Sequence, residues 1–168
     1  MPSLSRDLRR QLEKTIAGDN GARRIAEEGA EQSLERLAVD APRAHHLLTE
    51  AEKKFRVDLR SHAERLGDRL NERPAHLIQE IAYEHWHRML FARFLAENDL
   101  LLHPEHGVAL SLDEVKELAL GLKRDWIEVA AEYAQRMLLR EVFRPDDPVL
   151  RVPLSPEKRL ELEGKLNS

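Results

Sequence analysis

Apolar residues recur at helical spacing along most of this chain. Leu8, Leu12 and Ile16 follow one another every four residues behind Ser3 and Ser5, two candidate caps, and Gly18 offers a stop. A second segment from Asn20 places Ile25, Gly29 or Ala30, Leu34 and Leu37 on one stripe and ends near Asp40. Pro42 then sits where a first helical turn accepts it. From there Leu48, Ala51, Phe55, Leu59, Ala63, Leu66 and Leu70 hold the helical period. This predicts one long charged helix over residues 42–70, stopped at Asn71-Glu72-Arg73-Pro74, because a residue before proline is pushed out of the α region.

The next segment, residues 75–97, is apolar nearly all round. Ile78, Ala82, Tyr83, Trp86, Met89, Leu90 and Phe94 fall on one broad arc, and Leu77, Ile81, Phe91 and Leu95 cover much of the other side. Such a helix is expected to be buried, as the hub on which the others pack. Asn98-Asp99 and the His103–Gly107 stretch break it, with a short hairpin of Leu100–Leu102 against Val108–Leu110. Ser111-Leu112-Asp113-Glu114 is a capping-box sequence opening a helix that ends near Gly121. Asp125 caps another, with Val129, Tyr133, and Met137 or Leu138 inward. Arg144-Pro145-Asp146-Asp147-Pro148 is non-helical, and Ser155-Pro156-Glu157 starts a last helix. The expected fold is all-α, a single domain over 1–168 of about six to seven helices around the buried helix at 75–97.

Composition narrows the function classes. The chain is 42% hydrophobic and 35% charged over 168 residues, a globular balance. It has no cysteine, which excludes thiolate metal sites, disulfides and cysteine nucleophiles. No run approaches the length of a membrane helix and the start has no apolar leader core, so no membrane partner and a cytoplasmic location are expected. The net charge of −4 disfavours a dedicated nucleic-acid module. Its distribution is uneven: residues 1–73 carry 15 Lys and Arg against 14 Asp and Glu, net +1, and residues 74–168 carry 12 against 17, net −5. A phosphate-facing surface, if present, belongs to the first half. Its candidates are Lys53, Arg56 and Arg60 on the long helix, with Arg6, Arg9 and Arg10 on the first.

Four of the eight histidines and four of the eight aromatics crowd into residues 83–107. His85 and His87, two apart, point to opposite sides of a helix and cannot share an ion, since helical ligand pairs need a spacing of three or four. His103 and His106 are better spaced but have only Glu105 nearby. Histidines hydrogen-bonded to backbone are the expectation, with no metal. Arg93 and Glu97, at i,i+4 in the hub helix, are expected to pair. No glycine-rich phosphate loop, nucleophile elbow or dinucleotide fingerprint occurs. Residues 112–133 have helix-turn-helix spacing, but the second helix, Asp125–Tyr133, is acidic and has the wrong sign for phosphates.

Two stretches carry a family likeness. "EIAYEHWHRMLFARFLAENDLLLHPEHGVALSLDEVKELA" and "YAQRMLLREVFRPDDPVLRVPLSPEKRLELEGKL" resemble the N-terminal helical region of large bacterial adenine-specific DNA methyltransferases, the fused restriction–modification type and its phage-defence relatives. The features that match are Trp86, the Arg93-Phe94 pair, Asn98 after the helix, and the Phe143–Leu150 element. The resemblance implies a parent enzyme that transfers a methyl group from S-adenosylmethionine to an extruded adenine. This chain lacks the family's glycine-rich cofactor loop and its Asn/Asp-Pro-Pro-aromatic motif. Asp147-Pro148-Val149 has neither the second proline nor the aromatic. The expectation is therefore a non-catalytic leading domain with no cofactor of its own, which packs on its own C-terminal methyltransferase domain and helps position duplex DNA. A freestanding helical protein-interaction module is the alternative, and an independent enzyme would need a polar cleft that the sequence gives no reason to expect.

Overall fold

Seven α-helices, a short 3-10 helix and a hairpin of two two-residue strands make up the described part of the computed structural model, which covers residues 6–137 and 147–166 apart from the side chains of Leu8, Arg9, Leu12 and Gln135. Ser3 and Ser5 as caps, residues 144–146 of the expected break and the first half of the Phe143–Leu150 element lie outside the described residues, while Pro148, expected to be non-helical, opens a short 3-10 helix over Pro148–Arg151 behind its cap Asp147. The helices are α1 (Arg6–Ala17), α2 (Ala22–Arg36), α3 (Glu50–Leu66), α4 (Ala75–Glu97), α5 (Leu112–Leu122), α6 (Trp126–Arg136) and α7 (Pro156–Leu166), with strands β1 (Leu101–Leu102) and β2 (Ala109–Leu110). The all-α expectation holds. The described residues fall into two compact units, residues 1–86 with 147–168 and residues 87–146, the division lying within α4 between Trp86 and His87.

The first unit is built on α2, α3 and the start of α4. Leu34, Leu37, Leu59, Leu77, Ile78 and Ile81 are fully buried together with Val149 and Val152, each large side chain contributing roughly 1.5–3 kcal/mol by leaving water. The segment after Asp147 is tied back onto this core. The Ser33 hydroxyl donates to the Pro153 carbonyl at 2.6 Å, Arg151 lies over the Phe55 ring at 4.7 Å, and Lys158 bridges Glu28 at 2.8 Å and Glu161 at 2.9 Å. Gly29 permits this approach: a Cβ there would meet Leu154 Cδ2 at 3.0 Å and Lys158 Cβ at 3.2 Å. The hydrogen bond from Lys158 holds the Glu28 carboxyl below its ordinary value.

The long helix is shorter than its apolar pattern. α3 begins at Glu50, eight residues after Pro42, because Thr49 and Glu52 form a reciprocal capping box: the Thr49 hydroxyl accepts from Glu52 N–H at 3.2 Å and Glu52 accepts from Thr49 N–H at 2.9 Å. It ends at Gly67, whose φ of 96° closes the helix with its own N–H and that of Asp68 returning to Glu64 and Ala63. Leu48 and Leu70, the first and last members of the stripe, lie outside the helix.

The second unit packs the end of α4 against the hairpin, α5 and α6. Its core holds Met89, Ala92, Leu95, Ala96, Leu101, Val115, Val129 and Ala130. The hairpin pairs Leu101 with Leu110 and Leu102 with Ala109, inside the expected spans. Ser111 and Glu114 form the expected capping box, and Asp125 Oδ1 accepts from Ile127 N–H at 2.8 Å to start α6. α5 runs past Gly121 and closes on Lys123, which adopts the left-handed conformation at φ 54°. Because Lys123 is exposed and only glycine takes that conformation without steric cost, Lys123→Gly is expected to raise stability by about 0.5–1 kcal/mol, measured as a higher thermal midpoint.

The hub helix α4 is buried on one side and not all round. Leu77, Ile78, Ile81, Ala92 and Leu95 face inward, whereas Tyr83, Leu90 and Phe94 are 46%, 36% and 49% exposed. Of the arc expected to be its main apolar face, Ile78, Ala82 and Met89 are buried, Trp86 is half-buried, and Tyr83, Leu90 and Phe94 face solvent. No helix among the described residues is long and apolar enough to cross a membrane.

Candidate functional site

The cationic side of α3 has a structural task. Arg56 is buried, its Nε donating to the Ala38 carbonyl at 2.7 Å and its Nη2 to the Ala41 carbonyl at 2.5 Å. Arg60 donates to the carbonyls of Val39 at 2.6 Å and Ala41 at 2.7 Å, and to Asn71 Oδ1 at 3.0 Å. Two guanidinium forks thus clamp the turn after α2, where Ala38 has φ 55°. Burial, then the neighbouring Arg60 charge, pull Arg56 down from its ordinary value, against the opposing effect of Asp40. Lys53 stays near the surface and pairs with Glu50 at 2.6 Å. The i,i+4 spacing of Arg56 and Arg60 therefore does not make a phosphate-facing ridge, and a DNA-backbone interface along Lys53–Arg60 is left without its central member.

On α1 the placement is different. Arg6 and Arg10 are exposed, and Lys14 continues their ridge at the same four-residue spacing. Among the described residues no ion pair engages any of the three, while Asp7 and Glu13 interrupt the helix surface beside them. The Arg9 side chain is outside the described residues.

The residues that carry the family likeness sit along the second half of α4. Trp86 meets Tyr83 edge-on at 5.1 Å. Arg93 pairs with Glu97 at 2.6 Å, as its spacing implied, but on a partly solvated surface, where such a pair contributes little. Phe94 stacks on Phe91 with ring centres 6.3 Å apart. Asn98 ends the helix, its side-chain amide donating to the Phe94 carbonyl at 2.8 Å, and Asp99 takes the left-handed turn at φ 52°. The roles seen are packing and capping.

The histidines divide as their spacing requires. The His85 ring makes a 2.8 Å hydrogen bond to the Val152 carbonyl. His62, which belongs to no motif in the sequence, pairs with Glu80 at 2.7 Å. His103 and His106 stack with ring centres 4.5 Å apart, and His103 also meets Tyr133 edge-on at 5.4 Å. Among the described residues no group of three or more His, Asp or Glu side chains is placed to hold a metal ion.

The stacked histidines line an open groove of about 580 Å³ within the second unit, between the hairpin and α5. Its apolar wall is Val108, Leu110, Leu118 and Leu122, and its charged wall is Glu114 and Glu117. Glu114 belongs to the capping box, and the hydrogen bonds from the Ser111 backbone and hydroxyl hold its carboxyl below the ordinary value. Lys116, the cation between these two acids, turns away toward the Trp126 ring at 5.6 Å. Nothing in the sequence marks this groove, because its walls come from the hairpin and from α5 and only the packing of α5 beside the hairpin brings them together. No protein-family model, no curated protein and no solved structure matches the chain.

Proposed function

We propose that the chain is a non-catalytic helical domain leading an adenine-specific DNA methyltransferase of the restriction–modification type, a cytoplasmic protein that packs on its methyltransferase core and helps position DNA. The observation that carries the packing role is the distribution of exposed large apolar side chains. Among the described residues, seven of the twelve, Leu90, Phe94, Leu100, Leu102, Val108, Leu120 and Leu122, belong to residues 87–137. So many exposed apolar side chains in one compact unit support an interaction role for it. The parentage rests on the sequence likeness of residues 80–119 and 133–166.

The test is the natural gene product that carries these residues. It is expected to continue into a glycine-rich loop and an Asn-Pro-Pro-Tyr-like motif, and to move labelled methyl groups from S-adenosylmethionine to adenine in duplex DNA. A product that ends without those motifs removes the reading and leaves a freestanding protein-interaction module, which the −4 charge favours.

DNA positioning is assigned to α1 rather than α3, since Arg6 and Arg10 are the exposed members of the cationic set. Binding of this chain to short duplex DNA is expected to weaken as salt rises. Arg6→Glu with Arg10→Glu should weaken it for all sequences alike and flatten the salt slope by about 2, roughly 0.9 for each phosphate no longer neutralised. Unchanged binding in the double variant would remove α1 from the interface. No binding at low salt would leave packing on the core as the domain's whole role.

A further inference from the structure

We infer that the groove between the hairpin and α5 docks a basic amphipathic helix of a partner protein, apolar side inward and Lys or Arg outward. Three features of the second unit combine. The apolar wall is presented to solvent, Val108 being 55% and Leu122 52% exposed. The α5 side, which also supplies Leu118 and Leu122, carries the acids: Glu117 lies beyond the first turn of α5, so it is not explained as a complement to the helix start, and among the described residues no cation pairs with it. The groove is also open at Gly121, where a Cβ would meet nothing within 4 Å. An apolar trough with an acidic edge suits a helix that lays leucine-like anchors into the trough and places cations against Glu117. An acidic helix would set like charges together, and a wholly apolar one would leave Glu117 facing uncharged surface.

Val108 and Leu122 also belong to the apolar surface assigned above to packing, but the inference is drawn from the groove and does not rest on the methyltransferase parentage. The experiment uses the full chain and a fluorescein-labelled Leu/Lys amphipathic helical peptide, with a Leu/Glu peptide of the same pattern and a scrambled Leu/Lys peptide as comparisons. Fluorescence anisotropy is expected to give saturable binding for the patterned Leu/Lys peptide, at least about tenfold tighter than either comparison. Gly121→Trp fills the open part of the groove from an unstrained helical position, and should abolish binding while thermal unfolding stays at or above the native midpoint. Glu117→Lys should weaken binding and reduce its dependence on salt.

Equal binding of the Leu/Glu or scrambled peptide would overturn the proposal, as would full binding by a folded Gly121→Trp chain. One further outcome would overturn it by naming another occupant: a native dimer by sedimentation that Gly121→Trp converts to a monomer.

Discussion

Arg56→Ala is expected to destabilise the chain by about 2–3 kcal/mol, the loss of two charge-assisted hydrogen bonds set against the recovered cost of burying the charge. The guanidinium bridges Ala38 and Ala41, carbonyls of the turn that brings the chain from α2 toward α3. Arg60 still reaches Ala41 and Val39. The Ala38 carbonyl, next to its left-handed backbone, would keep only the long 3.3 Å hydrogen bond from the Ala41 N–H. Arg56→Lys should recover only part of the loss, because a single ammonium cannot hold two carbonyls in the fixed fork that the guanidinium provides. Urea unfolding of the native chain and the two variants measures both effects. A native midpoint for Arg56→Ala would mean that the clamp contributes nothing and that Arg60 alone fixes the turn.

The consequence reaches the functional question. Replacing Lys53, Arg56 and Arg60 together by alanine would remove DNA binding by disturbing the fold, whether or not α3 touches DNA. Charge reversal at Arg6 and Arg10 avoids that confusion, since both side chains are exposed.

Legibility in the sequence followed the range of the interactions. Ser111–Glu114 and Asp125 announce their helices because a cap and its amides lie within three residues of each other. The hairpin is announced by apolar runs either side of a His-Pro-Glu-His-Gly break. α3 shows the limit of periodicity: Leu48 and Leu70 fit the stripe, but the Thr49–Glu52 box and Gly67 decide where the backbone turns. Arg56 and Arg60 show a deeper limit. Their spacing is the same whether they face phosphates or carbonyls, and the carbonyls are supplied by a turn 15–21 residues away. The side of α4 that faces solvent was hidden for a related reason. With apolar residues all round, periodicity cannot choose the buried side, and the small Ala92 and Ala96 beside Leu95 turn out to mark it.

Asp68→Ala is the second large effect, expected to cost about 2–3 kcal/mol at neutral pH, toward the upper end for a helix cap because two amides lose a charged acceptor. α4 starts behind Pro74, which has no side-chain oxygen to offer, and the cap comes from the preceding loop instead. Asp68 accepts from His76 N–H at 3.0 Å and from Leu77 N–H at 2.9 Å, with its side chain only 4% exposed. The Gly67 turn sets it there, seven residues ahead of Ala75, too far along the chain for a cap to be read from spacing. Burial pushes the Asp68 carboxyl up, but the two backbone N–H groups and the His76 ring outweigh it and bring the carboxyl below its ordinary value. A carboxyl lowered in the folded state adds stability above its unfolded value, about 3.9, and that stability is lost as pH falls through the folded value. The gap in unfolding free energy between the native chain and Asp68→Ala should therefore be full at pH 7 and shrink as pH drops below about 4. Asp68→Asn, which keeps an uncharged acceptor, should lie between them at pH 7. A gap that stays constant into acid would show that Asp68 acts through packing and not as a charged cap.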